Sequence, residues 1–295
     1  MSARADSVRR YFFAVTAQQY SRALTWTLIA PLLVLLLAAF VWPIVKFLSL
    51  SVLDPSPTLA HFAEIFDRTF YWTILLRTFR TGLIVTVMAL LLGYPVAYLM
   101  ANVRGLWAAA IAAIVILPLW ISILVRTFVW FIFLGRTGLI NKAAMGLGIV
   151  DQPMRLINTE VAVWLAMTQI LLPVMILPIY ASLRAIPPEL GKAAEGLGAS
   201  KAGVFRHVIL PLSLPGVAAG AVLVFIMSLG FFITPMLIGG PRSMMIATLI
   251  TEQATKFLDW PEAAALSTIL MVITLAIVIV FNRALRLDRV MGSGA

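Results

Sequence analysis

The segment from Ile186 to Pro211 reads Ile-Pro-Pro-Glu-Leu-Gly-Lys-Ala-Ala-Glu-Gly-Leu-Gly-Ala-Ser-Lys-Ala-Gly-Val-Phe-Arg-His-Val-Ile-Leu-Pro. Its chemistry is mechanical: two short helices joined by a turn, bearing side chains small enough to let another protein surface come close. Pro188 pre-sets a first-turn φ, and Glu189 suits the positive end of a helix dipole. Leu190, Ala193, Ala194 and Leu197 make an apolar stripe at helical spacing. Gly198 can take the left-handed stop, Ser200 can cap the next helix, and Pro211 is expected to end it. A helix that lies on a membrane carries bulky Trp, Phe or Leu. The Ala and Gly content here instead suits docking in a groove on a partner.

Few other residues have the type and spacing for chemistry. No G-x-x-x-x-G-K-[ST] phosphate loop is present, so no ATPase site is expected in this chain. Cysteine is absent, which excludes disulfides and thiolate metal sites. The two histidines, His61 and His207, lie outside the predicted membrane spans, and no paired catalytic constellation emerges; neither a bound cofactor nor a metal is expected. Arg126 is the one charge well inside a span, and an intramembrane arginine is a functional candidate by default. A structural ion pair near an outer gate is the expected role, with Glu160 as its carboxylate. Trp120, Phe231 and Phe232 join Arg126 and Glu160 as candidates for a path or gate.

The elements that must position these residues follow from the charge spacing. Of the 295 residues, 62% are hydrophobic and 12% charged, against about 45–50% and about 25% in a soluble domain. Uncharged runs occupy 23–45, 81–103, 105–125, 161–183, 207–241 and 263–282. A helix crosses the hydrocarbon core in about 20 residues, so six spans are expected, the fifth closed by Gly239-Gly240-Pro241. Barrel strands would alternate over roughly ten residues, and these runs do not.

Helix 2 is expected to start near Tyr71 and carry Arg77 and Arg80, helix 3 to run on to Leu134, helix 4 from Glu160 to Leu183, and helix 6 to Arg283. Short surface helices are expected at Leu59–Phe66 and Ile140–Leu147, and a plain outer loop over 239–259. Prolines 95, 118, 173, 178 and 235 should bend the spans, and their accumulation in helices 3–5 points to a path. Gly216 and Gly220 form a small-xxx-small pattern for close packing of helix 5.

Twelve of the 22 Lys and Arg fall in the segments 1–22, 104–106, 184–206 and 283–295. The positive-inside rule therefore puts both termini in the cytoplasm. The +10 net charge is explained by that topology, and a nucleic-acid partner is not expected. The reading divides the chain into a cytoplasmic tail 1–22, a six-helix domain 23–285 containing the loop 186–211, and a cytoplasmic tail 286–295. The first apolar stretch has no small-residue cleavage site and is expected to remain as a membrane anchor.

The 186–211 loop resembles the "EAA" loop of binding-protein-dependent ABC importer permeases, E-A-A-x3-G-x9-I-x-L-P. Ala193, Ala194, Gly198, Leu210 and Pro211 fall at the family's spacing; Lys192 stands in place of the glutamate and Val208 in place of the isoleucine. Glu195, one turn on, is a candidate to supply the missing carboxylate. The resemblance implies an all-α, six-helix permease of the type I importer (MetI-like) fold in the bacterial inner membrane. It also implies that the loop is a coupling helix docked on the ATPase. The implied partners are a second, similar permease subunit, two cytoplasmic ATPases that use ATP and Mg, and a periplasmic substrate-binding protein.

Further residues resemble the polyamine (spermidine/putrescine) branch, its B/H-type subunit in particular. They are Gly93–Tyr98, Leu117–Trp120, Leu124–Thr127, Gly138–Asn141, Leu172-Pro173 with Pro178, and Asp259-Trp260-Pro261. Permeases for opines, amino-acid derivatives, phosphonates or iron are the alternatives. A stand-alone secondary transporter would need an ion site, and no carboxylate lies inside an uncharged run.

Overall fold

The computed structural model describes residues 22–54 and 56–285, and every regular element among them is a helix. The expected tails, Arg22 apart, lie outside the described residues. Among the described residues, six segments are long and apolar enough to cross a membrane. The first, α1, runs from Arg22 to Leu53 through a π turn at Leu37–Val41. Its side chains from Trp26 to Lys46 are exposed.

The remaining helices are α2 (Ala60–Asp67), α3 (Thr69–Asn102), α4 (Leu106–Ile116), α5 (Ile123–Leu134), α6 (Leu139–Gly146), α7 (Glu160–Ala185), α8 (Pro188–Gly196), α9 (Lys201–Leu229), α10 (Ile246–Glu252) and α11 (Trp260–Leu285). α3, α7 and α9 pack on one another and share the largest apolar cluster, centred on Val85, Ala89, Met167, Met175, Ile179 and Val224. Lipid is as apolar as leucine, so close packing rather than water exclusion must hold membrane helices together. Glycine makes the approach close enough. A Cβ on Gly216 would lie 2.5 Å from the Pro178 carbonyl oxygen, and one on Gly220 would lie 3.0 Å from that of Met175. The small-xxx-small pattern is thus the seam between α9 and α7.

Three expectations about helix boundaries need correction. The third span is not one helix to Leu134. It breaks after α4, through a 3₁₀ turn at Leu117–Trp120 and an extended Ile121. α4 and α5, of 11 and 12 residues, are each too short to cross alone at about 1.5 Å per residue; the third segment long and apolar enough to cross runs from Ile123 to Gly146, through α5 and α6.

Pro211 does not end the second helix of the loop; α9 runs through it. The reason is a π turn at Phe205–Ile209, closed by Leu210 N–H donating to the Phe205 carbonyl. Widening the helix there relieves the clash between a proline ring and the preceding turn. The same device precedes Pro43 in α1, where Trp42 N–H donates to the Leu37 carbonyl.

The fifth helix ends at Leu229, not at Gly239. Gly230, Phe231 and Phe232 leave the helix, and a π turn at Pro235–Gly239 follows.

The expected plain loop 239–259 also contains α10. Ile246 and Leu249 are buried there beside Ile74 and Leu266, and Ile246 N–H donates to Thr78 Oγ1 at 2.8 Å.

Candidate coupling loop and translocation path

Pro187 stands at the N-cap of α8 with Pro188 at its first position, where a missing N–H costs nothing. The helix ends in a Schellman arrangement: Ala199 N–H donates to the Ala194 carbonyl at 3.0 Å and Gly198 N–H to the Glu195 carbonyl at 2.9 Å. Gly198 takes φ +89° to make it. Ser200 Oγ then accepts from Gly203 N–H at 3.1 Å and starts α9. The result is a rigid corner between two helices.

The expected apolar stripe is divided by this corner. Leu190, Ala193 and Leu197 point outward, Leu197 at 90% exposure, while Ala194 is half-buried. Lys192 and Glu195 are exposed, and neither forms an ion pair among the described residues.

Behind the corner, Phe205 meets the edges of two α3 rings, Tyr94 at 6.0 Å and Tyr98 at 5.5 Å between centroids. Tyr94 Oη lies 2.9 Å from Ser213 Oγ, so one tyrosine holds α9 both by ring contact and by hydrogen bond. Sequence reading quoted both tyrosines without giving them this partner. The available signal was a pair of aromatics four residues apart, one face of α3.

The path candidates do not converge. Trp120 lies on the 3₁₀ turn and is 86% exposed. Phe231 is buried in the main cluster, and Phe232 is half-exposed beside it. Arg126, on α5, does not pair with Glu160. Its Nη1 donates to the main-chain carbonyl of Ile170 at 3.2 Å, and its buried Nε has no partner. Glu160 instead pairs with Arg80 and with Arg77, the latter at 3.5 Å, and Arg80 also lies over the Trp164 ring. The two arginines are one turn apart on α3, which is why both reach a carboxylate at the head of α7. Two contacts beside Arg126 tie α5 to its neighbours: Thr127 Oγ1 to Thr234 Oγ1 at 3.0 Å, and Trp130 Nε1 to Gln169 Oε1 at 3.3 Å.

Comparison with known proteins adds to this geometry. The sequence profile of the family described as binding-protein-dependent transport system inner membrane component matches residues 89–287. The spermidine/putrescine transport system permease protein PotB of Escherichia coli (strain K12) is 35% identical over 78% of this chain and 83% of its own length. The inner membrane ABC transporter permease protein YdcU of the same organism is 33% identical over 78% and 77%. Among solved structures, a bacterial ABC transporter involved in the import of the acidic polysaccharide alginate has a chain with a similar fold. The TM-score is 0.69 at 19% identity, over 94% of this chain and 98% of that one.

Proposed function

The chain belongs to the binding-protein-dependent transport system inner membrane component family and is a multi-pass permease subunit of an ABC importer; we propose that its cargo is a polyamine of the putrescine/spermidine class. The similarity to a spermidine/putrescine permease over most of both chains supports the cargo. We also propose that the 186–211 loop faces the cytoplasm, with both termini on that side, as the excess of Lys and Arg there favours. A second permease subunit, two ATPases supplying the ATP and Mg chemistry, and an external binding protein complete the assembly.

One observation carries the mechanism: α8 presents Leu190, Ala193 and Leu197 outward from a corner fixed by Gly198 and Ser200. A rigid convex apolar helix seats in a groove and transmits a push. Behind it, Phe205 passes the displacement to α3, and the close seam at Gly216 and Gly220 passes it to α7. Closure of the ATPases thereby becomes rotation of the helices that frame the path.

The test is uptake of labelled putrescine and spermidine by cells expressing the chain together with its partner permease subunit, ATPase and binding protein. Leu197→Asp should abolish both ATPase co-purification and uptake while the chain still inserts. Unchanged uptake in that variant would overturn the coupling role. Uptake of molybdate or another solute without either polyamine would overturn the cargo.

A further inference from the structure

The chain uses one short pattern twice. Lys192-Ala193-Ala194-Glu195-Gly196-Leu197-Gly198 of the 186–211 loop has a counterpart in Lys142-Ala143-Ala144-Met145-Gly146-Leu147-Gly148, and the two differ only at Glu195 and Met145. The backbone repeats with the sequence. Leu147 N–H donates to the Ala143 carbonyl at 3.0 Å, Gly148 N–H to that of Met145 at 3.1 Å, and Ile149 N–H to that of Ala144 at 2.9 Å. Leu197, Gly198 and Ala199 close α8 with the same three bonds. Gly148 takes φ +66° where Gly198 takes +89°, so α6 and α8 both stop at a left-handed glycine. Each presents the preceding leucine to the outside: Leu147 is 75% exposed. Ala143 and Gly146 are exposed beside it, as Ala193 and Gly196 are beside Leu197.

The two helices lie at opposite ends of α7. α6 does not extend α5 in line, because the chain turns where Gly138 N–H donates to the Gly135 carbonyl at 2.9 Å. Buried Asn141 of α6 donates to the Gly135 and Met154 carbonyls and accepts from Met154 N–H. Met154 comes shortly before Glu160, the head of α7, whereas α8 follows Ala185 at its foot. The 26 residues of α7 part its two ends by about 40 Å, at about 1.5 Å per residue. With the 186–211 loop in the cytoplasm, α6 is on the external side.

The charge around α6 indicates what it meets. Arg136, Lys142 and Arg155 are exposed, against one acid, Asp151, over 135–159. None of the three cations is in an ion pair among the described residues. Arg136 and Arg155 both line a cleft of about 180 Å³, with Leu134 and Asn158. The two carbonyls that hold Asn141, those of Gly135 and Met154, immediately precede these arginines, so one buried side chain fixes α6 to both arginine-bearing segments. A surplus of cations on the external side runs against the positive-inside trend. It would repel a polyammonium cargo, and paired guanidinium groups suit a carboxylate.

We propose that α6 and the Arg136/Arg155 cleft are the docking site for the external binding protein. Leu147 seats in an apolar depression of that protein, and a surface carboxylate of it is taken up by Arg136 and Arg155. Docking at α6 then bears on the head of α7 as docking at α8 bears on its foot, and one helix links the two events.

The inference rests on the permease reading, and wild-type complex of both permease subunits and the ATPase in nanodiscs tests that reading first. If it binds no external binding protein at all, the reading itself fails. In complex that does bind, the readout is the affinity of fluorescently labelled binding protein at rising salt. Leu147→Asp should weaken it about tenfold while ATPase co-purification is unchanged, which also shows that the chain is folded. Arg136→Glu/Arg155→Glu should weaken it about tenfold at low salt and flatten the salt dependence, whereas Arg136→Lys/Arg155→Lys should keep that dependence. Affinities within about twofold of wild type for both Leu147→Asp and the double reversal overturn the proposal. So does a loss, in those variants, of bound phosphatidylglycerol alone, which would make this face a lipid-binding surface.

Discussion

The Arg126 guanidinium donates to the Ile170 carbonyl at 3.2 Å, and Glu160 is engaged by Arg77 and Arg80 instead. The expected ion pair is therefore two independent contacts. Removing residues that share no partner gives additive effects, within about 0.5 kcal/mol, whereas a true pair couples by about 0.5–3 kcal/mol. Arg126→Gln and Glu160→Gln should therefore be additive in melting temperature and in uptake. Arg80→Gln and Glu160→Gln should not be. A double-mutant cycle on purified complex distinguishes the two, and coupling between Arg126 and Glu160 would overturn the assignment.

The corner between α8 and α9 makes two glycines unequal. Gly198 sits at φ +89°, and a Cβ there would meet no neighbour. Only the backbone conformation penalises Gly198→Ala, by about 1–2 kcal/mol. Gly196 is helical and equally open, so Gly196→Ala should stabilise α8 by about 0.5–1 kcal/mol. ATPase co-purification at rising salt should fall for Gly198→Ala and hold or improve for Gly196→Ala. The opposite order would show that the corner does not hold the docking surface.

Gly216 tests the seam on which helix movement would travel. Its Cβ would approach the Pro178 carbonyl oxygen and Ser182 Cβ at 2.5 Å and Ile179 Cα at 3.1 Å, two of them backbone atoms that cannot rotate away. Gly216→Ala must part α7 and α9 and should cost about 1–3 kcal/mol, read as a lower melting temperature in detergent. Gly230, just past the end of α9 and in open space, should tolerate alanine within about 0.5 kcal/mol.

The contrast shows what sequence carries. Charge spacing located five of the six candidate spans because an unpaired charge in hydrocarbon is costly wherever it falls; the third run, 105–125, instead covers α4 and the break, and the third candidate span is Ile123–Gly146. The glycine spacing located the α7–α9 seam for a similar reason, since only the absence of a Cβ permits it. Pro211 misled because proline fixes what one residue cannot do, not how its neighbours adjust; the π turn at 205–209 absorbs it. Pro118 and Gly230 coincide with real breaks, yet in sequence they look no different from Pro95 or Gly93, inside an unbroken α3. The Arg126 contact was not legible at all, because its acceptor is a main-chain carbonyl and any residue at position 170 would supply one. α10 escaped notice because seven residues give too short an apolar pattern to distinguish from a loop.

Phe205 tests whether the corner does more than dock. Its ring stands edge-on to Tyr98, 5.5 Å away at 88°, and to Tyr94, 6.0 Å away at 82°. Each such pair contributes about 0.5–1.5 kcal/mol beyond area burial. None of the three rings belongs to the outward face of α8, so Phe205→Ala should leave ATPase association intact. It should instead loosen the ring contact through which α8 is proposed to move α3. The expected signature is a complex that co-purifies with its ATPase and hydrolyses ATP but imports several-fold less solute per ATP. Phe205→Tyr, which keeps the ring, should restore most of the coupling. If Phe205→Ala imports with unchanged stoichiometry, force reaches the helices by the α9 seam alone, and the aromatic contact is packing without transmission.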